Sequence, residues 1–464
     1  MTDSASNSRL VDAGAGETIA AVYTPPGRGG IGIVRLSGPQ SASIAAQLVR
    51  LRHPLEHARA RLADVLDDSE SAAARIDEAV VTFFQSPNSY TSENVVEIAT
   101  HGSPAVLEFL LRRAIDLGAR LAEPGEFTHR AFISGRIDLT QAEAVRDLIE
   151  AQTLTQARQA ASQMGGALSR RVAPVKGSLV ELIALLEAGI DFAEDDLDVT
   201  PRAEIARRIA ELGPPLTALE SSFARGRIVH DGLTLAIVGR PNVGKSSLFN
   251  RLVERDRAIV TASPGTTRDL VTERISLDGI PLELVDTAGL REGLEEAEQL
   301  GIARSREALA EAALVLVVLD ATQPLNQEER NLLVAVEGRP ALVAVNKSDL
   351  TGMHCGADVG NLPALSTSAV TGEGIQALRQ RLIELATSGA AAEPGMLTNL
   401  RQHQAISTAR AALAEAMQAN AGAIPHEMLL LDLYRALWAL DSLTGQTTPD
   451  DILNLIFSTF CIGK

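Results

Sequence analysis

The chain has 464 residues, a length that predicts about three domains. Its net charge of −17 argues against a uniformly basic nucleic-acid-binding surface, because phosphate contacts come from clustered lysine and arginine. Two cysteines are too few for a disulfide framework or a four-cysteine zinc site, while 45% hydrophobic and 22% charged residues are typical of a folded globular protein.

No segment of the sequence predicts insertion into a bilayer. The longest unbroken apolar run, residues 312–319, is far shorter than the ~20 residues of a membrane-spanning helix. Residues 1–18 lack the basic stretch and apolar core of a secretory signal. We therefore expect a cytoplasmic protein with no membrane contact.

Four segments differ in pattern along the chain. Residues 1–134 alternate short β-like runs with a helical stretch, which predicts an α+β domain. Residues 135–231 and 389–464 carry apolar residues three and four apart, the pattern of amphipathic helices. Residues 232–388 repeat strand, loop and helix signals, which predicts a doubly wound α/β domain. We interpret this domain as an insertion into one helical domain whose halves pack together; two separate helical domains are the alternative.

A phosphate-binding loop is the strongest single motif. The sequence GRPNVGKS at 239–246 follows a predicted strand and precedes a helical segment. Such glycines let backbone N–H groups surround phosphate oxygens, Lys245 would contact the β and γ phosphates, and the Ser246 hydroxyl would bind Mg²⁺. Taken alone, this motif is also compatible with an ordinary glycine-rich turn.

Three further motifs follow in the order typical of GTPases: DTAG at 286–289, NKSD at 346–349 and SA at 368–369. Asp286 would reach Mg²⁺ through water, and the Gly289 N–H would meet the γ-phosphate. The Asp349 carboxylate would accept two N–H bonds from guanine, which adenine cannot offer, and Ser368-Ala369 would support the base. Four such motifs in order are not expected by chance.

Two features between and after these motifs concern hydrolysis. In the loop Ser263–Asp269 (SPGTTRD), a threonine hydroxyl would complete the Mg²⁺ shell only while a γ-phosphate is present, which predicts a switch. Leu290 occupies the place of the water-orienting glutamine of Ras-type GTPases, and leucine cannot polarise water. Another group must orient the water, and the acidic candidates are Glu292, Glu295, Glu296 and Glu298. For each of them, a solvated acidic face is the alternative.

The N-terminal segment and the C-terminus are less informative by residue type. The N-terminal loops are dense in glycine, proline and charge, and we interpret Arg35, Glu97 and Arg136 there as structural ion-pairing residues. Cys461 follows an apolar helical run near the end, where packing is the usual role of a free cysteine.

Taken together, these motifs resemble those of the bacterial tRNA-modification GTPases known as MnmE or TrmE, over essentially the whole chain. The segments that carry the resemblance are TPPGRGG, PGEFTHRAF, GRPNVGKSS, PGTTRD, DTAGLRE, NKSD and the CIGK ending. The resemblance implies an N-terminal domain that binds tetrahydrofolate and dimerises, and a helical domain formed from both flanks. It also implies an inserted Ras-like GTPase domain whose two copies dimerise across a potassium ion.

The resemblance also implies roles for individual residues. Lys245 and Glu298 would be catalytic, with Glu298 orienting water, and Ser246 and Thr267 would hold Mg²⁺. The implied K⁺ ligands are Asn242, Thr261, Ser263 and Thr266, and the folate-site positions are Arg35, Glu97, Arg136 and Lys464. The predicted GTP-binding set is Asn242, Val243, Gly244, Lys245, Ser246, Ser247, Thr261, Thr266, Thr267, Asp286, Thr287, Ala288, Gly289, Asn346, Lys347, Asp349, Ser368 and Ala369.

The implied reaction adds a carboxymethylaminomethyl group to carbon 5 of the wobble uridine of certain tRNAs. Its partners would be a second copy of the chain, tRNA and the flavin- and NADH-using protein MnmG (GidA). Its cofactors would be GTP, Mg²⁺, K⁺ and a one-carbon tetrahydrofolate in the formyl or methylene form. Cys461 would then lie close to the folate, in a supporting role that we favour over a direct chemical one.

Two other functions compete with this one. A GTP-controlled assembly switch that docks on ribosomal particles would need an RNA-binding module, but this acidic chain has no basic tail. A folate-dependent enzyme with a merely structural GTPase domain would not explain why all the hydrolytic motifs are present. The sequence therefore favours a GTP-hydrolysing enzyme of tRNA modification.

Overall fold

The computed structural model describes residues 16–67, 74–191, 201–253, 274–277, 279–285, 312–351, 359–387, 393–445 and 463. The chain divides into two compact units. The first unit comprises residues 1–146 and 441–464, and the second comprises residues 147–440. The domain limits predicted at residues 134, 231 and 388 stay predictions.

The first unit contains a seven-stranded sheet. Its strands are β1 (Ile19–Val22), β2 (Gly29–Ser37), β3 (Val49–Leu51), β4 (Arg59–Asp67), β5 (Ala74–Phe84), β6 (Val95–Gly102) and β7 (Arg120–Leu121). Their order in the sheet is β3-β4-β5-β6-β2-β1-β7. Neighbouring strands are antiparallel except β1 and β7, which pair in parallel.

Four helices accompany these strands in the part of the chain that is described: α1 (Ser41–Leu48), α2 (Pro104–Asp116), α3 (Glu126–Ile133) and α4 (Leu139–Glu150). Apolar residues of α1 and α2, such as Ile44 and Leu110, share a buried cluster with Val34 of β2 and Ile98 of β6. One face of the sheet is thus covered by helices, which confirms the α+β fold expected for this part of the sequence.

The second unit begins with four helices, α5 (Leu154–Met164), α6 (Ala167–Asp191), α7 (Arg202–Ser221) and α8 (Phe223–Asp231). Helix α5 starts with a capping box, in which the Thr153 hydroxyl accepts the N–H of Gln156 and the Gln156 side chain accepts the N–H of Thr153. These helices confirm the prediction that the strand-rich N-terminal segment is followed by a helical segment.

A six-stranded sheet follows, with order β13-β12-β11-β8-β10-β9. In chain order its elements are β8 (Leu233–Val238), α9 (Lys245–Val253), β9 (Arg274–Leu277), β10 (Ile280–Val285), β11 (Leu314–Asp320), α10 (Gln327–Val336), β12 (Ala341–Asn346), α11 (Ser348–Thr351), β13 (Ala364–Ser366) and α12 (Ile375–Thr387). All neighbouring strands are parallel except β9 and β10.

The burial of the central strand β11 explains why the strands of this sheet are continuous apolar runs in the sequence. Every residue of β11 is buried, and alternate side chains enter two different apolar clusters. Leu316 packs with Leu248 of α9 on one face, whereas Val317 packs with Val336 of α10 on the other. A parallel sheet covered on both faces has no polar side, and the predicted doubly wound fold is confirmed.

The unit ends with helices α13 (Leu400–Ala421) and α14 (His426–Thr444), of which α13 packs along α7. Arg202 Nη1 donates to the carbonyl of Asn420 at 3.2 Å, and Asn420 Nδ2 donates to the carbonyl of Arg202 at 3.0 Å. Gln163 Nε2 donates to Met396 O at 2.8 Å. The helices that flank the sheet in sequence therefore pack together, in agreement with one helical domain. Among the helices described, none combines the length and the apolar character needed to cross a bilayer.

Candidate functional site

The predicted phosphate loop connects β8 to α9. Gly239 and Gly244 have positive φ values of 151° and 94°. A Cβ atom at Gly239 would lie 2.3 Å from Val318 O, and one at Gly244 would lie 2.3 Å from Asn346 Nδ2. Both positions therefore require glycine for conformation and for space, because the loop runs directly against the carboxyl ends of β11 and β12.

Lys245 is held against this same loop. Its Nζ donates to the carbonyls of Gly239 and Arg240, both at 2.8 Å. Asn242, which precedes it, has a left-handed φ of 64°. Because α9 begins at Lys245, the positive end of the helix dipole lies at the loop. The arrangement suits a phosphate group.

Asn346 joins two of the predicted motifs. Its side-chain Nδ2 donates to Val243 O at 2.9 Å, and its Oδ1 accepts the Ala369 N–H at 3.1 Å. The Asn346 side chain is buried, with 2% of its surface exposed. One amide thus fixes the phosphate loop relative to the loop that follows β13.

Lys347 and Asp320 form an ion pair at the end of neighbouring strands. Lys347 Nζ lies 2.6 Å from Asp320 Oδ2, and the hydroxyl and N–H of Thr322 donate to Asp320 Oδ1. Burial alone would raise the pKa of Asp320, but these donors outweigh it, so the pKa lies below its ordinary value. Sequence reasoning missed Asp320, although it ends the apolar run of β11.

The remaining described members of the predicted GTP site lie around this point. Asp349 is exposed on α11, Ser246 and Ser247 belong to the first turn of α9, and Ser368 is buried. The structure therefore brings the phosphate loop, NKSD and SA motifs together at one edge of the sheet. The predicted residues that lie outside the described ranges are Thr261, Ser263, Thr266, Thr267, Asp286, Thr287, Ala288, Gly289, Glu298, Cys461 and Lys464.

A second cluster, in the first unit, surrounds Arg35. Arg35 Nε and Nη2 lie 3.0 and 2.6 Å from Glu97 Oε1, and only 7% of the Arg35 surface is exposed. The guanidinium carbon lies 3.5 Å from the ring centre of Tyr23. The Arg35–Glu97 ion pair expected from residue type is present, combined with a cation–π contact that the sequence did not predict.

Tyr90 borders the same cluster. The Arg35 guanidinium lies 5.5 Å from the Tyr90 ring and 5.7 Å from that of Phe127, and the Tyr90 hydroxyl is 2.9 Å from Thr128 Oγ1. Burial raises the pKa of Tyr90, although the Thr128 hydroxyl and the charges of Arg35 and Arg136 act in the opposite direction. Arg136 is itself exposed.

Gly463, near the C-terminus, lies against the end of strand β1 and against Tyr23 of the Arg35 cluster. Gly463 has a φ of 97°, and a Cβ atom there would lie 2.5 Å from Val22 O and 3.2 Å from the Tyr23 Cα. Only glycine fits so close to β1 in this conformation. Gly463 and Tyr23 of the Arg35 cluster are consequently neighbours within the first unit.

The PGEFTHRAF segment builds a buried charge network that sequence reasoning did not anticipate. Glu126 is fully buried, and its carboxylate accepts hydrogen bonds from Arg120 Nη2 at 2.6 Å and Arg130 Nη2 at 3.0 Å. Arg130 also lies 3.0 Å from Glu93 Oε2. Burial would raise the pKa of Glu126, but the arginines hold it below its ordinary value. The i,i+4 spacing of Glu126 and Arg130 in a helical segment is the sequence pattern from which their ion pair could have been predicted.

The second unit contains a cavity of about 240 Å³ between α5, the end of α8 and β10. His230 lines it between two carboxylates, with Nε2 3.1 Å from Asp147 Oδ1 and Nδ1 2.7 Å from Asp231 Oδ1. The hydrogen bond to Asp147, working against burial, raises the pKa of His230 to about 9. The imidazole is therefore charged at neutral pH.

Two family models match the chain. The model of the MnmE helical domain matches residues 139–461, and that of the GTP-binding protein TrmE N-terminus matches residues 18–136. Together they extend over both units of the structure.

Curated relatives match along almost the whole length. The tRNA modification GTPase MnmE of Koribacter versatilis (strain Ellin345) is 57% identical over 453 residues, 97% of this chain and 99% of that protein. The protein of the same name from Symbiobacterium thermophilum is 43% identical over 455 residues, again 97% and 99%. Among solved structures, the G domain of the T. maritima FeoB iron transporter is 27% identical, covering 33% of this chain and 98% of that one with a TM-score of 0.24.

Proposed function

This chain belongs to the MnmE family of tRNA modification GTPases, and we propose that it uses GTP hydrolysis to drive addition of a carboxymethylaminomethyl group to carbon 5 of the wobble uridine. That it is a GTP hydrolase acting in tRNA modification follows from the family. The wobble chemistry, the partner proteins and the role of each residue are the proposal.

The observation that carries the proposed site is the double contact of Asn346 with Val243 O and the Ala369 N–H. It fixes the loop that would hold the phosphates relative to the loop that would hold guanine. Within this frame, Lys245 neutralises the β and γ phosphates, and the Asp349 carboxylate accepts the two guanine N–H groups. Lys347, which forms an ion pair with Asp320, lies in the NKSD motif between Asn346 and Asp349.

Oxygen-bearing side chains near the phosphate loop suit hard cations. We assign the Ser246 hydroxyl, with Thr267, to Mg²⁺, and the Asn242 amide oxygen, with Thr261, Ser263 and Thr266, to K⁺. A monovalent cation between the phosphates would supply positive charge in the way an arginine finger does. Comparing GTP hydrolysis rates in potassium and sodium chloride at matched ionic strength tests this assignment, and equal rates would refute it.

Glu298 takes the place of the missing glutamine in the proposed mechanism and orients the attacking water. A group that acts in this way stabilises the transition state rather than the bound nucleotide. An unchanged kcat in a Glu298→Ala variant would show that Glu298 is part of a solvated acidic face and does not orient the water. Hydrolysis at two GTPase domains that pair across K⁺ would also require a homodimer.

The Arg35 cluster is the proposed folate site. A pterin ring stacks on aromatic and guanidinium planes, and its amino and ring N–H groups pair with a carboxylate such as Glu97. Arg136 and Lys464 would meet the negative glutamate tail, and the contact of Gly463 with β1 supports a C-terminus that closes on this site. A one-carbon tetrahydrofolate would supply a single carbon unit there. Equilibrium dialysis with 5-formyltetrahydrofolate, compared between wild type and Glu97→Gln, tests the assignment.

A flavin- and NADH-using partner of the MnmG type completes the proposed reaction. The net charge of −17 supports this division of labour, because a partner richer in lysine and arginine would supply much of the tRNA contact. Cys461 keeps the supporting role proposed for it. A Cys461→Ser variant that loses modification while GTP hydrolysis and folate binding both persist would make it a chemical participant.

Nucleoside analysis of tRNA from cells that carry Lys245→Ala tests the whole proposal. We expect the modified wobble uridine to disappear, because Lys245 contacts the phosphates directly. Arg381→Ala is the matched control, since it removes a cation of the same domain that pairs with Glu384 at the surface. Normal modification in the Lys245 variant would contradict the proposal.

A further inference from the structure

Arg251, in the last turn of α9, contacts the loop that follows β13. Its Nε donates to Ala369 O at 2.9 Å, and its Nη2 donates to Val370 O at 2.8 Å. Nε and Nη2 lie on one edge of the planar guanidinium, so a single rigid group holds two consecutive carbonyls.

The Ala369 peptide is consequently fixed from both directions. Its N–H donates to Asn346 Oδ1 at 3.1 Å, while its carbonyl accepts from Arg251. The adjoining Ser368 N–H donates to Glu373 O at 3.0 Å, which closes the loop on itself. Ala369 is buried in the cluster that also contains Leu248 and Leu252 of α9. The position of this loop therefore depends on the position of α9.

Helix α9 is itself anchored at both ends. Lys245 begins it at the phosphate loop, and Arg379 of α12 donates from Nη1 to Leu252 O at 2.8 Å near its C-terminus. Arg379 is 4% exposed, and a cation at this end of a helix is favoured by the helix dipole. The six steps of the helix from Lys245 to Arg251 rise by about 9 Å, so one short helix sets the separation between the phosphate loop and the Ala369 loop.

We propose that Arg251 is a positioning residue for guanine selectivity, which it confers by holding the Ser368–Ala369 loop at a fixed distance from the phosphate loop. This inference rests on the proposed guanine site. Guanine presents the O6 acceptor where adenine presents an amino donor. The Ser368 and Ala369 N–H groups donate within the protein, so the Val370 N–H, which shares its peptide with the carbonyl that Arg251 holds, is the donor that would meet O6. A peptide fixed in this way favours the acceptor and penalises the donor, so a rigidly held loop discriminates better than a loose one.

The test compares Arg251→Met with Arg202→Met in the full chain. Dissociation constants for GTP, ITP and ATP are measured with Mg²⁺ and K⁺ present, together with kcat at saturating GTP. We expect Arg251→Met to bind GTP and ITP roughly tenfold more weakly, while ATP affinity and kcat stay unchanged. ITP shares O6 with GTP but lacks the amino group that Asp349 would bind, so equal losses for both nucleotides place the defect at the Ser368–Ala369 loop.

Arg202→Met is the control for a merely structural effect, because Arg202 of α7 also holds two backbone carbonyls, those of Asn420 and Ile424, but touches neither α9 nor the Ala369 loop in these hydrogen bonds. It should lower the melting temperature while keeping the ratio of GTP to ATP affinity. If Arg251→Met does not fold, Arg251→Lys serves, because it keeps the charge and loses the planar fork; its GTP to ATP ratio should fall in the same direction. The inference would be overturned if the wild type prefers GTP to ATP and the Arg251 variants keep the same ratio of GTP to ATP affinity. A wild type that binds ATP as tightly as GTP would instead overturn the proposed guanine site.

Discussion

The phosphate-loop region of the second unit and the Arg35 cluster of the first are built in different ways. Around the phosphate loop, side chains bond mainly to the backbone: Asn346 to Val243 and Ala369, and Lys245 to the carbonyls of its own loop. In the first unit, side chains bond to side chains, as in the pair Arg35–Glu97.

This difference decides how each region responds to substitution. A backbone-built site depends on glycine conformation and on a few buried amides, so its geometry survives loss of a surface charge. A site made of paired charges depends on every partner, because removing one leaves the other buried without compensation. The following predictions test this contrast.

The largest effect is expected at Glu126 in the first unit. Glu126→Gln should lower the free energy of unfolding by about 3–5 kcal/mol, because Arg120 and Arg130 would lose their buried counter-charge. Urea unfolding followed by far-UV circular dichroism measures this loss, and GTP affinity should be unchanged.

Glu204→Gln is the matched control for the Glu126 variant. Glu204 also accepts from two arginines, Arg207 and Arg208, but its side chain on α7 is 34% exposed. No loss of stability is expected there, because exposed ion pairs contribute little. Equal losses for the two variants would show that burial is not what makes the Glu126 network important.

A smaller effect is expected at Asn346 in the second unit. Asn346→Ala should lower the free energy of unfolding by about 2–3 kcal/mol, because Val243 O and the Ala369 N–H would both lose a buried partner. It should also weaken GTP binding, which isothermal calorimetry measures. Asn331→Ala, at an exposed asparagine of α10, is the control; if it weakened GTP binding to the same degree, the bridge between the two loops would be irrelevant.

The smallest effect concerns pH and the charge of His230. Because the pKa of His230 is raised to about 9 in the folded chain, its ion pairs stabilise the fold fully below the unfolded pKa of 6.5. That contribution, about 1–2 kcal/mol after allowance for solvent screening, is lost as the pH rises through the folded value. Trp438, the only tryptophan, belongs to the second unit and reports its unfolding in urea.

His230→Gln should flatten this part of the stability profile. The carboxylates that face His230 are Asp147 and Asp231, and Glu150 and Glu283 line the same cavity, so their charges remain in the variant. His101→Gln is the control, because His101 pairs with Asp77 but is 75% exposed. If the free energy of unfolding depends on pH in the same way in wild type and His230→Gln, His230 does not cause this dependence.

The features of the protein that local rules govern were predictable from the amino-acid sequence. The phosphate loop was predictable because positive φ and close backbone approach restrict Gly239 and Gly244 to one residue type, and these constraints occupy a few consecutive positions. The buried run of β11 and the helical spacing on either side of the sheet were predictable because side-chain periodicity reports secondary structure directly. The motif order then indicated a GTPase.

Contacts between side chains that are far apart in the chain depend on the packing of the sheets and helices. Arg35 and Glu97 contact each other because they are cross-strand partners of β2 and β6, and strand register depends on pairing that neither segment encodes alone. Arg251 contacts Ala369 and Val370 because α9 packs beside the end of β13, although 118 residues separate Arg251 from Ala369 in the chain. Common residue types at scattered positions carry no local signal, so their roles appear only when the packed sheet and helices bring them together.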